Sequence, residues 1–382
     1  MSVSSTVVTR DAIAQFAGEV FASMPRVDQR RWAEVYLRGL LLVEGKKSIR
    51  RISEDILYLP AHQSLQQFIN QSPWDWDPVR ARLVRYAESL GTPGAWVLGR
   101  TAIPKRGERS VGVARRFLPE AGRMVNCQIG ATVSLATDAG SIPVNWRLLL
   151  PPRWLEDPEL RQSAYLPPGA RADPEGRELL AMLTQMTAGW GATPAPVVGD
   201  LRHVEDAAHL ICALTGRGMP YALEVDGSLN VLDGVSVRTS SAGSRARECL
   251  ATAVEHFRVL HGGRGTEEEE ETGRRLNVVS SSVRLAGDDP AAPPVRLLSG
   301  LTPRGIPVRF WLTNLTDRSI ADVMDRLRLH RRSQADLRVL EEDFGLRDFE
   351  GRSFRGWHHH MTMVSAAYLF DLLGTRPVSR TA

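Results

Sequence analysis

The chain has 382 residues, 43% of them hydrophobic and 24% charged, with a formal net charge of +4 and an isoelectric point near 9.2. That length suits two or three domains with a real core. No run of about 18 apolar residues exists, which excludes a membrane-spanning helix, and the start Met1-Ser2-Val3-Ser4-Ser5-Thr6 lacks the basic and apolar blocks of a secretory leader. Cys127, Cys212 and Cys249 are widely spaced, with neither metal-ligand spacing nor a disulfide framework. They are expected as reduced thiols of a cytoplasmic protein.

From Arg10 to Ser89 apolar residues recur at helical spacing: Phe16, Val20 and Phe21, then Trp32, Val35, Tyr36, Leu40 and Leu41. A short helix is expected to stop before Pro73, and Asp77-Pro78 starts another, with proline in the first turn where its missing N–H costs little. Residues 1–92 are therefore expected as an all-α domain. After Gly94 the pattern changes to strands at Ala95–Leu98, Val111–Phe117, Asn126–Leu135 and Ile142–Leu149, an antiparallel meander joined by short turns. A loop rich in proline and glycine runs from Pro151 to Gly176. Then come a helix (Glu178–Thr187), a strand (Ala195–Asp200), a helix (Val204–Thr215) and a strand (Tyr221–Val225).

Three antiparallel strands followed by helix, strand, helix, strand give the order of an α/β ribonuclease-H-like mixed sheet. Residues 93–225 are expected as the first part of that core and 226–315 as a β-rich insertion. Residues 316–382 supply a long helix, Ser319–Phe344, and an apolar helix, Met361–Leu373, that complete the core. Within the insertion, Glu267–Glu271 is a self-repelling acidic run and Gly287–Pro294 a linker-like loop. The glycines Gly262, Gly263 and Gly265 precede acid rather than a Lys-Ser/Thr helix start, so they form no phosphate loop.

Basic residues cluster in four places: Lys46, Lys47, Arg50 and Arg51; Lys105, Arg106, Arg109, Arg115 and Arg116; Arg326, Arg328, Arg331 and Arg332; Arg352 and Arg355. Such groups suit phosphate contacts, which dominate nucleic-acid affinity. His358-His359-His360 do not converge on one ion, because consecutive helical residues point about 100° apart.

Ala95-Trp96-Val97-Leu98-Gly99-Arg100-Thr101-Ala102-Ile103-Pro104-Lys105-Arg106-Gly107 resembles the first strand of a DDE-superfamily transposase of the insertion-sequence type. Further matches follow in the family's order. They are Tyr36–Leu42 with Lys46–Ile49, Leu65–Ile69 with Ser72–Asp75, Ser110–Arg116, Pro143–Leu148 with Trp154, and Gly345-Leu346 with Phe349–Ser353 and Gly356–His360. Together they span about Tyr36 to Leu373. The resemblance implies a ribonuclease-H-like fold in which three carboxylates hold two Mg²⁺ ions roughly 4 Å apart for DNA cleavage and strand transfer.

At the family's carboxylate positions this chain departs. The first strand carries Gly99 and Arg100 where the family has a pair of aspartates. A guanidinium about 6 Å from a divalent ion is repelled by about 5 kcal/mol at an effective dielectric of about 20. Asp200 fits the second carboxylate, and Gln334 falls at the third, with His330 and Glu341 at the flanking Arg and Lys positions. The metal site is therefore expected to be lost, with no other cofactor.

The expected function is a catalytically inactive, domesticated transposase that binds double-stranded DNA as a nucleoid-associated regulator, with a homodimer possible. The basic residues of that surface are Lys46, Lys47, Arg50, Arg51, Lys105, Arg106, Arg115, Arg116, Arg331, Arg332, Arg352 and Arg355. Two alternatives stand beside it. One is an active DDE-type nuclease through relocated acids (Asp200, Asp336 or Glu342). In the other, the old cleft takes a small molecule or a protein partner, with Arg100 and His330 holding an anion.

Overall fold

The computed structural model describes residues 10–58, 61–118, 121–233, 244–246, 255–259, 276–285 and 293–374. Glu267–Glu271, the glycines Gly262, Gly263 and Gly265, Cys249 and most of Gly287–Pro294 lie outside them. The chain divides into two compact units. The first holds the described residues through Pro174, Ala181–Pro194 and those from Arg332 onward. The second holds Glu175–Leu180 and Ala195–Arg331.

The first unit opens with the expected helices. Helix α1 (Arg10–Val20) has Asp11 in its first turn, where the helix dipole favours a carboxylate, and buries Ile13, Phe16, Ala17 and Val20 on one face. At the start of α2 (Val27–Leu42) the Gln29 side chain accepts the Arg26 backbone N–H. The Ser48 hydroxyl caps α3 (Ile49–Ile52), and a π-helical turn, Ser53–Leu57, follows. Helix α4 (His62–Asn70) ends ahead of Pro73, and α5 (Asp77–Ser89) carries Pro78 in its first turn.

The strands are β1 (Ala95–Pro104), β2 (Ala114–Leu118), β3 (Arg123–Ala136) and β4 (Ser141–Leu148). β1 runs on through Gly99 and Arg100, which interrupt the apolar run but not the pairing. Ten residue pairs join it antiparallel to β3, from Ala95↔Ala136 to Pro104↔Cys127. The arrangement differs from a plain meander. β3 is the centre: β1 lines one edge, while β2 and β4 lie end to end along the other, against residues 123–127 and 130–136. Two short helices follow, α6 (Arg153–Glu156) and α7 (Pro158–Ser163). Then comes α8 (Glu175–Thr184) with a π turn, Gln185–Gly189.

The second unit places β5 (Val197–Asp200) parallel to β6 (Tyr221–Val225), joined by α9 (Ala207–Gly216). The Asp206 carboxylate at the head of α9 accepts the backbone N–H groups of Gly176 and Arg177 at 2.8 and 3.0 Å, tying in the first turn of α8. The remaining strands are β7 (Asn230–Asp233), β8 (Ser244–Arg245), β9 (Glu255–Val259), β10 (Leu276–Leu285), β11 (Val295–Leu301) and β12 (Pro307–Thr313). They pair antiparallel throughout, and β12 also pairs with β6. The chain order of antiparallel strands, helix, strand, helix, strand behind an all-α start is that of an α/β ribonuclease-H-like fold. Helix α10 (Ile320–Glu342) and helix α11 (Phe354–Gly374) close the chain. No described helix is long and apolar enough to cross a membrane.

Helix α11 begins seven residues earlier than its apolar run, because the polar stretch before Met361 is itself buried. Every residue from Gly356 to Phe370 is buried, against β4 and the N-terminal helices. A helix covered on all sides must satisfy its polar groups internally. Arg80, fully buried on α5, reaches Thr362 Oγ1 (2.9 Å), Asn145 Oδ1 (3.2 Å) and the Trp146 carbonyl (2.9 Å).

The three histidines are packing residues, out of reach of a surface phosphate. His358 stacks on Trp76, with centroids 4.6 Å apart. His359 stacks on Trp74 at 3.7 Å, and both its ring nitrogens face carbonyls, of Ile69 and Trp74, at 2.9 Å. His360 lies between the Tyr36 hydroxyl at Nδ1 (2.9 Å) and the Gly345 carbonyl at Nε2 (3.0 Å), which fixes the tautomer with hydrogen on Nε2.

Burial lowers the pKa of all three, to about 3 for His359 and about 4 for His360, and well below the ordinary value for His358; for His359 it outweighs the two carbonyls, which favour a second proton. The unfolded chain takes up protons near pH 6.5 and the folded one does not, so stability is full above that pH and is lost as pH falls toward 4. Urea denaturation of the full chain at pH 7 and pH 5.5 is expected to show a loss of about 1.2 kcal/mol per histidine at the lower pH. Unchanged stability between the two would contradict three neutral buried imidazoles.

Candidate functional site

In the first unit, β1 presents Gly99 toward α10. A Cβ on Gly99 would stand 2.8 Å from Thr132 Cγ2, 3.6 Å from Leu337 Cδ1 and 4.0 Å from Gln334 Nε2. Two of the expected positions, Gly99 and Gln334, are thus neighbours. The space a side chain at residue 99 would enter is already crowded by the Thr132 methyl group. Alternation along the strand turns Arg100 to the opposite face, so the repulsion expected of its guanidinium acts from the other side of β1. Two residues on, Thr101 returns to the Gly99 face and its hydroxyl donates to Glu341 Oε1 at 3.1 Å. Glu341 is also paired with Arg347 at 2.6 Å. Of the other acids on α10, Asp336 accepts the Ser141 backbone N–H at 2.7 Å, and Glu342 is exposed.

In the second unit, Asp200 ends β5. Both its oxygens are held by Arg202: Nε lies 2.9 and 3.1 Å from Oδ1 and Oδ2, Nη2 lies 2.6 Å from Oδ2, and the Arg202 backbone N–H adds a bond of 3.0 Å to Oδ1. Burial pushes the Asp200 carboxyl up, but this fork of donors outweighs it and holds the pKa below the ordinary carboxylate value. Glu224, at the register partner of Asp200 on β6, is buried. It is bonded by Arg309 through both oxygens, with Nε at 2.9 Å from Oε1, and lies 3.4 Å from Arg202 Nε. His330 is kept below its ordinary pKa by burial, against the pull of Asp200 and Glu224.

A cavity of about 20 Å³ beside His330 is lined by Gly199, Glu224, Arg309, Trp311 and Met324. That is room for one water molecule. An open groove of about 570 Å³ lies along Val225, Asp226, Ile306 and Val308, with Arg202 and Arg309 at its edge. Sequence reading found Asp200 but not Arg202, which engages it, nor Glu224 and Arg309, which join the same cluster through Arg202. The signal available was the Asp-x-Arg spacing at a strand end, which brings the guanidinium back onto the carboxylate.

The basic residues fall into two classes. Lys47 is buried and donates to the Val43 carbonyl; Lys105 donates to the Phe349 carbonyl, and burial pushes its pKa down to about 8. Lys46 pairs with Glu350, Arg50 with Glu54, and Arg51 contacts the Lys46 carbonyl at 3.4 Å. Arg332 donates to the Asp138 carbonyl at 2.7 Å and Arg355 to the Gln71 carbonyl at 3.3 Å. Arg106, Arg115 and Arg352 are exposed, while Arg116 and Arg331 are half-buried. Among the described residues, no three His, Cys, Asp or Glu side chains are grouped to share an ion.

The family model for DDE superfamily endonucleases matches residues 19–253. No curated protein matches the chain. The matched stretch covers more than half of the chain and includes Gly99, Arg100 and Asp200. The chain belongs to the DDE superfamily of endonucleases.

The packing around Gly99 gives a direct check. Gly99→Ala is expected to lower stability by about 1–3 kcal/mol through the clash with Thr132 Cγ2. Thr132→Ser removes that methyl and keeps the hydroxyl bond to the Asn145 carbonyl (3.0 Å), so in that background the same substitution is expected to cost under about 1 kcal/mol. Equal costs in both backgrounds, measured by denaturant unfolding, would show that residue 99 has room for a side chain.

Proposed function

We propose that this chain is a transposase-derived protein that binds double-stranded DNA without cutting it, and acts as a domesticated regulator. The observation that carries this reading is the engagement of Asp200 by Arg202, with a guanidinium where a metal-binding carboxylate needs open lone pairs.

Two-metal phosphoryl transfer needs converging carboxylates with free oxygens. The residues present do not fit a pair of divalent ions. Gly99 has no ligand atom and no room for one, and Gln334 offers a neutral amide. Asp200 is already neutralised by a cation of its own chain. Asp336 is bonded to the Ser141 N–H. Glu342 is exposed on the last turn of α10.

DNA contact makes lighter demands. Phosphates need only cations at a surface, and position alone sets register. Exposed arginines such as Arg106, Arg115 and Arg352 meet that demand. The reading with a bound metabolite is less well supported. The cavity beside His330 has room for one water, and the two guanidiniums at the open groove are both turned onto acids.

A mobility-shift titration with duplex DNA, run beside a supercoiled-plasmid nicking assay in Mg²⁺ and Mn²⁺, tests the proposal. Binding is expected at low salt, weakening with a log–log salt slope of about −3 to −5, as three to five phosphate contacts require. No nicking above background is expected. Nicking abolished by Asp200→Ala would sink the non-cleaving half of the proposal, and absence of any shift at low salt would sink the other half.

A further inference from the structure

Strands β2 and β3 form a two-stranded ribbon over Ala114–Leu118 and Arg123–Cys127. Its outer face carries two large apolar side chains directly opposite one another. Phe117 pairs with Met124, and the two are 60% and 47% exposed. Arg115 lies two residues before Phe117 and so shares its face, opposite Asn126.

Residues 105–126 contain six basic and two acidic side chains, an excess of four that equals the net charge of the whole chain. Arg106, Arg109, Arg115 and Arg123 are all exposed, and among the described residues none is paired with a carboxylate.

This combination narrows the occupant. A protein partner would have to desolvate four unpaired guanidiniums, and interface cores are depleted of charge. A second copy of the same ribbon would add like charge to like charge. A polyanion that also offers flat apolar surfaces satisfies both halves at once. Its phosphates meet the arginines, and a base meets the ring. Two-stranded ribbons and apolar wedges are each established ways for a protein to enter a DNA groove or open a base step.

We propose that the β2–β3 ribbon is a DNA wedge. Phe117, backed by Met124, packs against an unstacked base, while Arg106, Arg109, Arg115 and Arg123 hold the flanking phosphates. The ligand class is duplex DNA carrying an unpaired or easily unstacked step, in preference to uninterrupted duplex. The inference rests on the DNA-binding reading above and adds to it a named element and a structural preference in the DNA.

The test uses the full chain and two duplexes of identical flanks, one fully paired and one with a single bulged 2-aminopurine, followed by anisotropy and by 2-aminopurine fluorescence. Wild type is expected to bind the bulged duplex about tenfold more tightly and to change the 2-aminopurine signal. Phe117→Ala is expected to lose that preference and the signal while binding the paired duplex within about twofold of wild type. Phe117→Tyr retains both. Arg115→Ala and Arg123→Ala each weaken binding to both duplexes and reduce the salt slope by about 1.

Equal wild-type affinity for the two duplexes, or a Phe117→Ala variant that keeps the preference, overturns the wedge and leaves DNA binding standing. No binding to either duplex overturns both. Loss of a self-associated species in Phe117→Ala by sedimentation velocity, with DNA affinities unchanged, assigns the apolar pair to protein contact and also overturns the wedge.

Discussion

A carboxylate already engaged by a cation has less to offer a second one, and beside Asp200 that cation, Arg202, is covalently attached two residues away. The fork of Arg202 meets both oxygens of Asp200, and the backbone N–H adds a further bond. Such a bidentate, charge-assisted pair is among the stronger polar contacts a protein makes. It sits in a cluster that is close to neutral by itself: Asp200 and Glu224 against Arg202 and Arg309, with the pKa of His330 lowered by burial. Removing one member would leave a partly buried charge without its partner, the costly direction for such a group. The cluster therefore resists the loss of any one member.

The first unit follows the same logic with different chemistry. Gly99 carries no side chain, and Thr132, Leu337 and Gln334 line the space beside it. The neighbouring polar groups have partners that keep them in place, Thr101 through Glu341 to Arg347 and Asp336 to the Ser141 N–H. Superfamily membership and strand register describe the scaffold. The positions around it hold filled volume and internal pairs.

Much of the scaffold was legible in the sequence. The helical start, β3 to β6 and α8 to α10 follow from apolar periodicity, proline placement and chain order. Gly99 and Gln334 were placed as counterparts from motif spacing, and they are neighbours. Three features were not legible. β1 continues past Gly99 and Arg100, because ten backbone pairs with β3 outweigh a poor local pattern. Helix α11 starts at Phe354, because His358 to His360 are polar by type yet buried, each with ring or hydrogen-bond partners distant in sequence. The cluster beyond the Asp200–Arg202 pair joins strands remote in sequence, and no local window contains Glu224 and Arg309 with it.

The basic residues show that clustering in sequence does not by itself give exposure. Lys47 and Lys105 belong to clusters that read as surface, yet both are tied to backbone carbonyls in buried or half-buried positions. Arg80, with no cluster at all, organises the contact between α5, β4 and α11. A cation inside the fold is bound by acceptors the fold supplies; one left outside without an anion of its own must find one in solution. By that criterion the charge available to a partner includes Arg106, Arg109, Arg115 and Arg123, in and beside the strands that carry the exposed ring of Phe117. An arginine pair such as Arg50–Glu54 is already screened by its own chain and adds little to the field a distant phosphate feels. Position in the hydrogen-bond network, more than the count of basic residues, decides which face of this molecule presents charge to an anion in solution.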